Sequence, residues 1–264
     1  VALGATGATV YCTGRTIDEG SAPLPGTIGA TAAAVAAAGG VGIAVCCDHS
    51  DDEQVADLFE RIGREHGHLD ILVNNATNLP ASLTESGPFW QQPLELSQLL
   101  NVGMRSHYVA AWHAAPLLIE NGEGLIVNTS SFGGRIYMHG PAYGAGKAAV
   151  DKMAHDMAVD FKPYGVAVVS IWMGLLLTER TKAVFAAQPD QYGELAATAE
   201  SPEFTGRVID ALARDPDLMQ KSGAVWIGAE LAQEYSVVDI NGSSPPSHRS
   251  VFGPTTRFGS AVVE

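Results

Sequence analysis

Apolar runs alternate with amphipathic stretches along almost the whole chain. Strand-like runs fall at 8–14, 42–48, 69–76, 124–131, 166–173 and 224–227. Between them lie helical patterns near 27–38, over 51–66, over 94–119, and from about Tyr143 onward. The runs Ile71-Leu72-Val73, Leu125-Ile126-Val127 and 166–171 are continuous, not alternating. A strand covered by helices on both faces shows that pattern, because neither face meets water. Strands alternating with helices predict an α/β fold with a doubly wound parallel sheet in three layers. The helix after Tyr143 carries Val150, Met153, Met157 and Phe161 at three- and four-residue spacing, which predicts its buried stripe. Asp151, Lys152, His155 and Asp156 lie off that stripe, and Pro163 and Gly165 mark its end.

A length of 264 residues suits one such domain, and 46% hydrophobic residues suffice for a large core. The formal charge of -14 argues against a nucleic-acid partner and against an anionic membrane surface. A small anionic cofactor needs only a local positive field and is still allowed. The three cysteines, Cys12, Cys46 and Cys47, give no disulfide framework and no zinc spacing. They read as buried thiols in a reducing, cytoplasmic setting. No metal site is expected: His66 and His68 sit in a polar turn with no third ligand near. No apolar run is long enough to span a bilayer.

The chemistry concentrates at Tyr143-Gly-Ala-Gly-Lys147. Residues four apart share a helix face, so Lys147 is expected near the Tyr143 hydroxyl. A free tyrosine titrates near ~10, and a nearby cation is expected to lower that value. Such a phenol can give or take the proton that accompanies hydride transfer. Upstream, the strand at 124–131 ends in Ser130-Ser131, at the end where doubly wound folds place their sites. Ser131 is the candidate partner for a carbonyl oxygen, with Ser130 its competitor, since a shift of one residue reverses the face. Tyr137 and His139, in the loop before Tyr143, are candidates for lining a substrate pocket.

These residues, in this order, resemble the short-chain dehydrogenase/reductase family. Asn74-Asn75-Ala76 is similar to the family's Asn-Asn-Ala segment, which steadies the sheet and contacts cofactor. Asn101 matches the family's helix asparagine, and Ser131, Tyr143 and Lys147 match its remaining catalytic members. Met173-Gly174 followed by Thr178 resembles the Pro-Gly-x-x-x-Thr stretch beside the nicotinamide, with Met in place of Pro. Asp48 matches the acidic residue at the adenine, and His49 beside it is counted with the cofactor site. The tail, including Val238-Asp-Ile-Asn-Gly242, resembles a subgroup of proteins like dehydrogenase/reductase family member 1.

The resemblance implies a Rossmann-like fold, a nicotinamide cofactor, and interconversion of a carbonyl compound with its alcohol. It gives the roles of proton donor to Tyr143, substrate orientation to Ser131, ribose binding to Lys147 and a water relay to Asn101. Asn75, Ala76, Gly174 and Thr178 would contact cofactor alongside Tyr143 and Lys147. Thr13-Gly14-Arg15 puts no carboxylate at the strand end, and a guanidinium suits a 2′-phosphate, so NADP(H) is expected over NAD(H). The family also implies a lid over 178–205, a C-terminal extension at 229–264, and a homodimer or homotetramer. Phe89, Trp90, Phe132, Tyr137 and Met173 suggest an apolar pocket and a lipophilic ketone or aldehyde substrate.

One departure stands out. The family's glycine-rich phosphate loop has no counterpart, since Gly4-Ala-Thr-Gly7 leads straight into the strand that comes second in the family's order. By that pattern about two dozen residues, from ordinary strand and helix lengths, are expected to precede Val1 in the natural protein. The missing loop also favours the rival reading, a catalytically inactive scaffold or interaction protein on the same fold. NADP-linked isomerisation or dehydration is a further enzyme reading.

Overall fold

A computed structural model of the protein describes residues 1–263, and all of their side chains except those of residues 191, 192, 194 and 195. Residue 264, the last of the expected C-terminal extension, lies outside the described residues. The chain forms two compact units. One contains Val1–Gln54, Met173–Asp215 and Gly228–Ser247; the other contains Val55–Trp172, Pro216–Ile227 and the chain from His248 onward.

The first unit opens with β1 (Thr9–Gly14), α1 (Ile28–Ala37) and β2 (Val41–Cys46). β1 and β2 pair in parallel, from Thr9 opposite Val41 to Gly14 opposite Cys46. The Thr27 side chain caps α1 by accepting from the Ala30 N–H at 3.0 Å. The helix crosses β2 so closely that a Cβ on Gly42 would sit 2.0 Å from the Ala32 carbonyl oxygen, a gap only glycine fits. Cys12, Ala32 and Val35 form the small core beneath. Cys47 is also buried, but Cys46 is exposed, because successive side chains on β2 leave opposite faces.

The second unit holds four parallel strands in the order β3 (Ile71–Asn74), β4 (Gly124–Ser130), β5 (Val166–Trp172) and β6 (Val225–Ile227). All seven residues of β5 and six of the seven in β4 are buried, which accounts for their unbroken apolar sequence. α2 (Asp52–His66) buries Val55, Leu58, Phe59 and Ile62, spaced for one helical face. α3 (Ser106–Asn121) packs on β3 and β4, and α4 (Pro141–Phe161) packs on β4 and β5.

Two elements differ from the sequence pattern. The helix expected over 94–119 is broken ahead of α3: Val102 is extended (φ -108°, ψ 104°) and Gly103 is left-handed (φ 128°). A Cβ on Gly103 would lie 2.6 Å from Thr77 Oγ1, so the chain kinks to pass that side chain. The Val102 carbonyl freed by the kink accepts from the Asn78 N–H at 2.8 Å. On α4, the buried stripe runs through Lys147, Val150, Asp151, Ala154, Ala158 and Phe161. It is rotated from the expected one: Met153 and Met157 are only half-buried, and Asp151 is inside. Among the described residues no helix is long and apolar enough to cross a membrane, and no group of three or more His, Cys, Asp or Glu is placed to hold a metal.

The residues after β5 return to the first unit as α5 (Glu179–Ala187), α6 (Pro189–Thr198), α7 (Pro202–Ala213) and α8 (Gly228–Glu234). α7 buries Phe204, Val208, Ile209 and Leu212 and packs on α8. In the second unit, the tail from His248 runs along the outside of α4. Phe252 packs on Phe132 with ring centres 5.2 Å apart, Arg135 donates to the Pro254 carbonyl, and Phe258 packs on His155.

Candidate active site

The end of β4 separates two adjacent serines, Ser130 as its last residue and Ser131 just beyond it. Ser130 is fully buried, and its hydroxyl donates to the Lys147 carbonyl at 3.4 Å. Ser131 faces the other way, and its hydroxyl shares a 2.9 Å hydrogen bond with the Tyr143 hydroxyl. Of the two serines the sequence offers, Ser131 is the one whose hydroxyl meets that of Tyr143. Its Oγ also accepts from the Gly133 N–H at 3.1 Å, which fixes its rotamer. Gly133 lies so close that a Cβ there would meet the Tyr143 ring at 2.5 Å. α4 starts at Pro141 after Gly140 (φ 84°), and His139 is also left-handed (φ 54°). The two unusual residues turn the His139 ring edge-on to Tyr143, with centres 5.1 Å apart.

Lys147 lies one turn beyond Tyr143 and is 8% exposed. Its ammonium donates to the Thr129 carbonyl at 3.0 Å and sits 5.9 Å from the centre of the Tyr143 ring. Burial lowers its pKa to about 8, opposed by the charge of Asp151. Asp151, one further turn along, accepts from Ser170 Oγ at 2.6 Å and from Trp172 Nε1 at 2.9 Å. Burial raises its pKa to about 6, against the pull of Ser170, Ser130, Trp172 and Lys147. Tyr143 departs from expectation. Burial pushes its pKa above the ordinary tyrosine value, and the Ser131 hydrogen bond opposes this. With the ammonium held on the Thr129 carbonyl, desolvation of the phenolate is the larger effect.

Behind these groups a hydrogen-bonded lattice joins β3, β4 and α3. Asn74 Nδ2 donates to Asn128 Oδ1 at 2.9 Å and to the His107 carbonyl at 3.3 Å. Thr129 Oγ1 donates to Asn75 Oδ1 at 3.1 Å, and His107 Nε2 lies 3.2 Å from the Ala76 carbonyl. Asn75 and Ala76 are thus held at the end of β3. Asn101 stands at the kink before α3, in a segment that packs on α4, where Gly146 faces Leu100.

A cavity of about 680 Å³ opens beside His139 and Ala142. Phe89, Trp90 and Tyr137 line it as expected, joined by Leu83, Leu94 and Leu96. Phe132 does not: it is buried against Trp172 and Phe252. Met173 is not among the lining residues either.

The remaining candidates lie in the first unit. Arg15 Nη1 is 3.6 Å from Asp48 Oδ2, with 69% of the arginine side chain exposed. Asp48 Oδ1 accepts from the Ser50 N–H and hydroxyl. The Ser50 amide does most to hold the Asp48 carboxyl below its usual range. His49 Nε2 lies 3.0 Å from Thr13 Oγ1, and burial lowers its pKa. Gly174 donates its N–H to Glu200 Oε1 at 3.1 Å, and the Thr178 side chain caps α5 through the Thr181 N–H. Sequence reasoning missed Thr129, Asp151 and Glu200. Asp151 carried a signal, its four-residue offset from Lys147; the other two carried none.

The model of the short chain dehydrogenase family matches residues 2–189. The chain belongs to the short-chain dehydrogenase/reductase family. It is therefore an oxidoreductase of alcohol and carbonyl groups that uses a nicotinamide cofactor. Over 247 residues it is 40% identical to Dehydrogenase/reductase SDR family member 1 of Mus musculus, covering 89% of this chain and 76% of that one. The resemblance to that subgroup holds. A 3beta-hydroxysteroid dehydrogenase of Mediterraneibacter gnavus is 32% identical over 200 residues, covering 74% of this chain and 67% of that one. A solved structure from Xanthomonas campestris, described as a dehydrogenase, superposes with a TM-score of 0.75 at 23% identity, covering 92% of this chain and 86% of that one. That likeness supports the α/β Rossmann-like fold.

Proposed function

We propose that the protein interconverts a lipophilic ketone or aldehyde with its alcohol, using NADP(H) in preference to NAD(H). The observation that carries this reading is the 2.9 Å bond between Ser131 Oγ and Tyr143 Oη, one helical turn from a buried ammonium. A carbonyl oxygen placed there receives two hydroxyl hydrogen bonds. Tyr143, protonated at neutral pH because burial raises its pKa, donates its proton to that oxygen as negative charge develops. Ser131 orients the oxygen and stays neutral. Lys147 adds a positive field and would hold the ribose hydroxyls. Asn101 would carry the relay that reprotonates Tyr143, through water.

The side chains of each unit suit part of a nicotinamide cofactor. In the first unit Arg15, Asp48 and His49 would hold the adenosine portion, and Gly174 and Thr178 would contact the nicotinamide; in the second unit Asn75 and Ala76 would contact cofactor. The bound cofactor supplies the hydride. Among the described residues Arg15 meets one carboxylate, that of the partly exposed Asp48, and a contact of that kind contributes little. Its guanidinium can therefore turn to a 2′-phosphate, which it fits in two-pronged fashion. The apolar lining of the cavity and the steroid named for one relative both favour a bulky lipophilic substrate.

Residues 178–205 would form the substrate lid. Tyr108, Trp112 and Ile119 leave an apolar face exposed on α3, consistent with a homodimer or homotetramer. Free cysteines suit a cytoplasmic setting. A spectrophotometric screen of lipophilic carbonyl compounds with NADPH and with NADH tests the reading. Turnover with NADPH is expected; equal or faster turnover with NADH overturns the cofactor preference, and none with either overturns the activity.

A further inference from the structure

Glu200 sits between α6 and α7, is 2% exposed, and bonds repeatedly with the segment that follows β5. Its Oε1 accepts from the Gly174 N–H at 3.1 Å. Its own N–H donates to the Leu175 carbonyl, and its carbonyl accepts from the Leu177 N–H, both at 2.8 Å. Leu176 and Glu200 thus form a parallel bridge outside the regular strands. The next residue is tethered in turn: the Ser201 N–H donates to Asp239 Oδ2 at 2.8 Å, and the Ser201 hydroxyl to Asp239 Oδ1. Asp239 is equally buried. Main-chain pairing alone would serve to fasten a loop. A buried carboxylate is costly unless it is hydrogen-bonded, and the Glu200 carboxylate is engaged by the Gly174 amide.

We propose that Glu200 is a positioning residue for the cofactor pocket, holding residues 173–178 through the Gly174 amide. The inference rests on the reading that Gly174 and Thr178 border the nicotinamide. An ionised carboxylate grips an amide N–H more firmly than a neutral acid does. Burial pushes the Glu200 pKa up to about 7; the Gly174 amide and Thr205 oppose this, while Asp239 adds to it. The charged groups facing the pair are Asp239 and, beyond it, Arg207. The grip on Gly174 is therefore firm above pH 7 and relaxes below it.

Two variants test this. Glu200→Gln keeps size and one acceptor oxygen but cannot titrate; Glu200→Ala removes the anchor. In cofactor-free protein, hydrogen exchange of a peptide spanning 173–178 should quicken about tenfold in Glu200→Ala, the worth of one charged hydrogen bond, while β4 is unchanged. NADPH affinity, followed by fluorescence, should weaken from pH 8 to pH 6 in the wild type more steeply than in Glu200→Gln. Comparing the two proteins removes the titration of the cofactor's own phosphate. Unchanged exchange in Glu200→Ala, or the same pH profile in Glu200→Gln as in the wild type, overturns the proposal. A wild type that binds neither NADPH nor NADH instead sinks the reading of Gly174 and Thr178, and the exchange measurement still decides whether Glu200 is the anchor.

Discussion

Tyr143 and Ser131 share a 2.9 Å hydrogen bond, and the serine's oxygen is pinned in addition by the Gly133 amide. Each side chain therefore waits in the geometry a carbonyl oxygen needs. Tyr143→Phe removes the transferable proton and should lower kcat on the order of 10²–10⁴-fold, with NADPH affinity retained. Ser131→Ala removes one oxygen contact and should cost on the order of 10²–10³-fold in kcat. Steady-state kinetics beside fluorescence titration read both. A Tyr143→Phe enzyme with wild-type kcat would rule out this acid.

Lys147 makes stability depend on alkaline pH in a definite direction. Its folded pKa of about 8 lies below its ordinary 10.5. The folded protein gives up this proton first, so the penalty is full below about pH 8 and is relieved as pH climbs towards 10.5. Urea melts at several pH values should show the wild type gaining on Lys147→Met over that window. Reductase activity should meanwhile fall above pH 8, as the ammonium is lost. A stability difference that stays flat from pH 7 to 10 contradicts the assignment.

Asp151 receives Ser170 and Trp172 hydrogen bonds in a fully buried setting. Asp151→Ala would strand Trp172 Nε1, leave the Ser170 hydroxyl with the Asn128 carbonyl at 3.5 Å, and remove the counter-charge to Lys147. The expected loss is on the order of 3 kcal/mol in denaturant melts. Asp151→Asn, which keeps an acceptor, should lose less. Equal losses in the two variants would show that packing, not polarity, is what Asp151 supplies.

Gly103 carries a left-handed backbone against Thr77. Gly103→Ala meets both obstacles and should cost about 2 kcal/mol, read as a lower melting temperature. Because the kink sets Asn101 against α4, kcat should drop as well. Thr77→Ser with Gly103→Ala tests the steric part: it leaves the Oγ1 clash in place, so it should rescue little.

Arg15 is exposed and weakly paired. Arg15→Ala should raise KM for NADPH about tenfold, as loss of a charge-assisted phosphate contact does, and leave KM for NADH unaltered. A parallel rise for both cofactors would move Arg15 out of the 2′-phosphate site.

What the sequence displayed well was whatever repeats locally. The uninterrupted apolar runs of β3, β4 and β5 reflect burial on both faces, and the Tyr143–Lys147 offset reflects one helical turn. What it hid depends on distant partners. Gly103 looked like a helix residue because Thr77, which forces the kink, is far away in sequence. Asp151 looked solvent-facing because a carboxylate normally is; its acceptors' partners, Ser170 and Trp172, lie on β5. The direction of the Tyr143 shift was misjudged for a related reason: spacing shows a nearby cation, but it does not show the depth of burial or the Thr129 carbonyl that occupies that cation.

The adjacent hydroxyls of Ser130 and Ser131, at and just beyond the end of β4, illustrate how discrete such a site is. A pleated chain can offer a side chain to one face or the other and nothing between, so Ser130 braces the helix while its neighbour addresses the ligand side. Deleting any one residue between Gly124 and Thr129 would turn both hydroxyls to the opposite face and bring Phe132 to the place that Ser131 now holds. Reactivity here advances along the strand in whole steps, and evolution can tune it by substitution far more readily than by changing the chain's length.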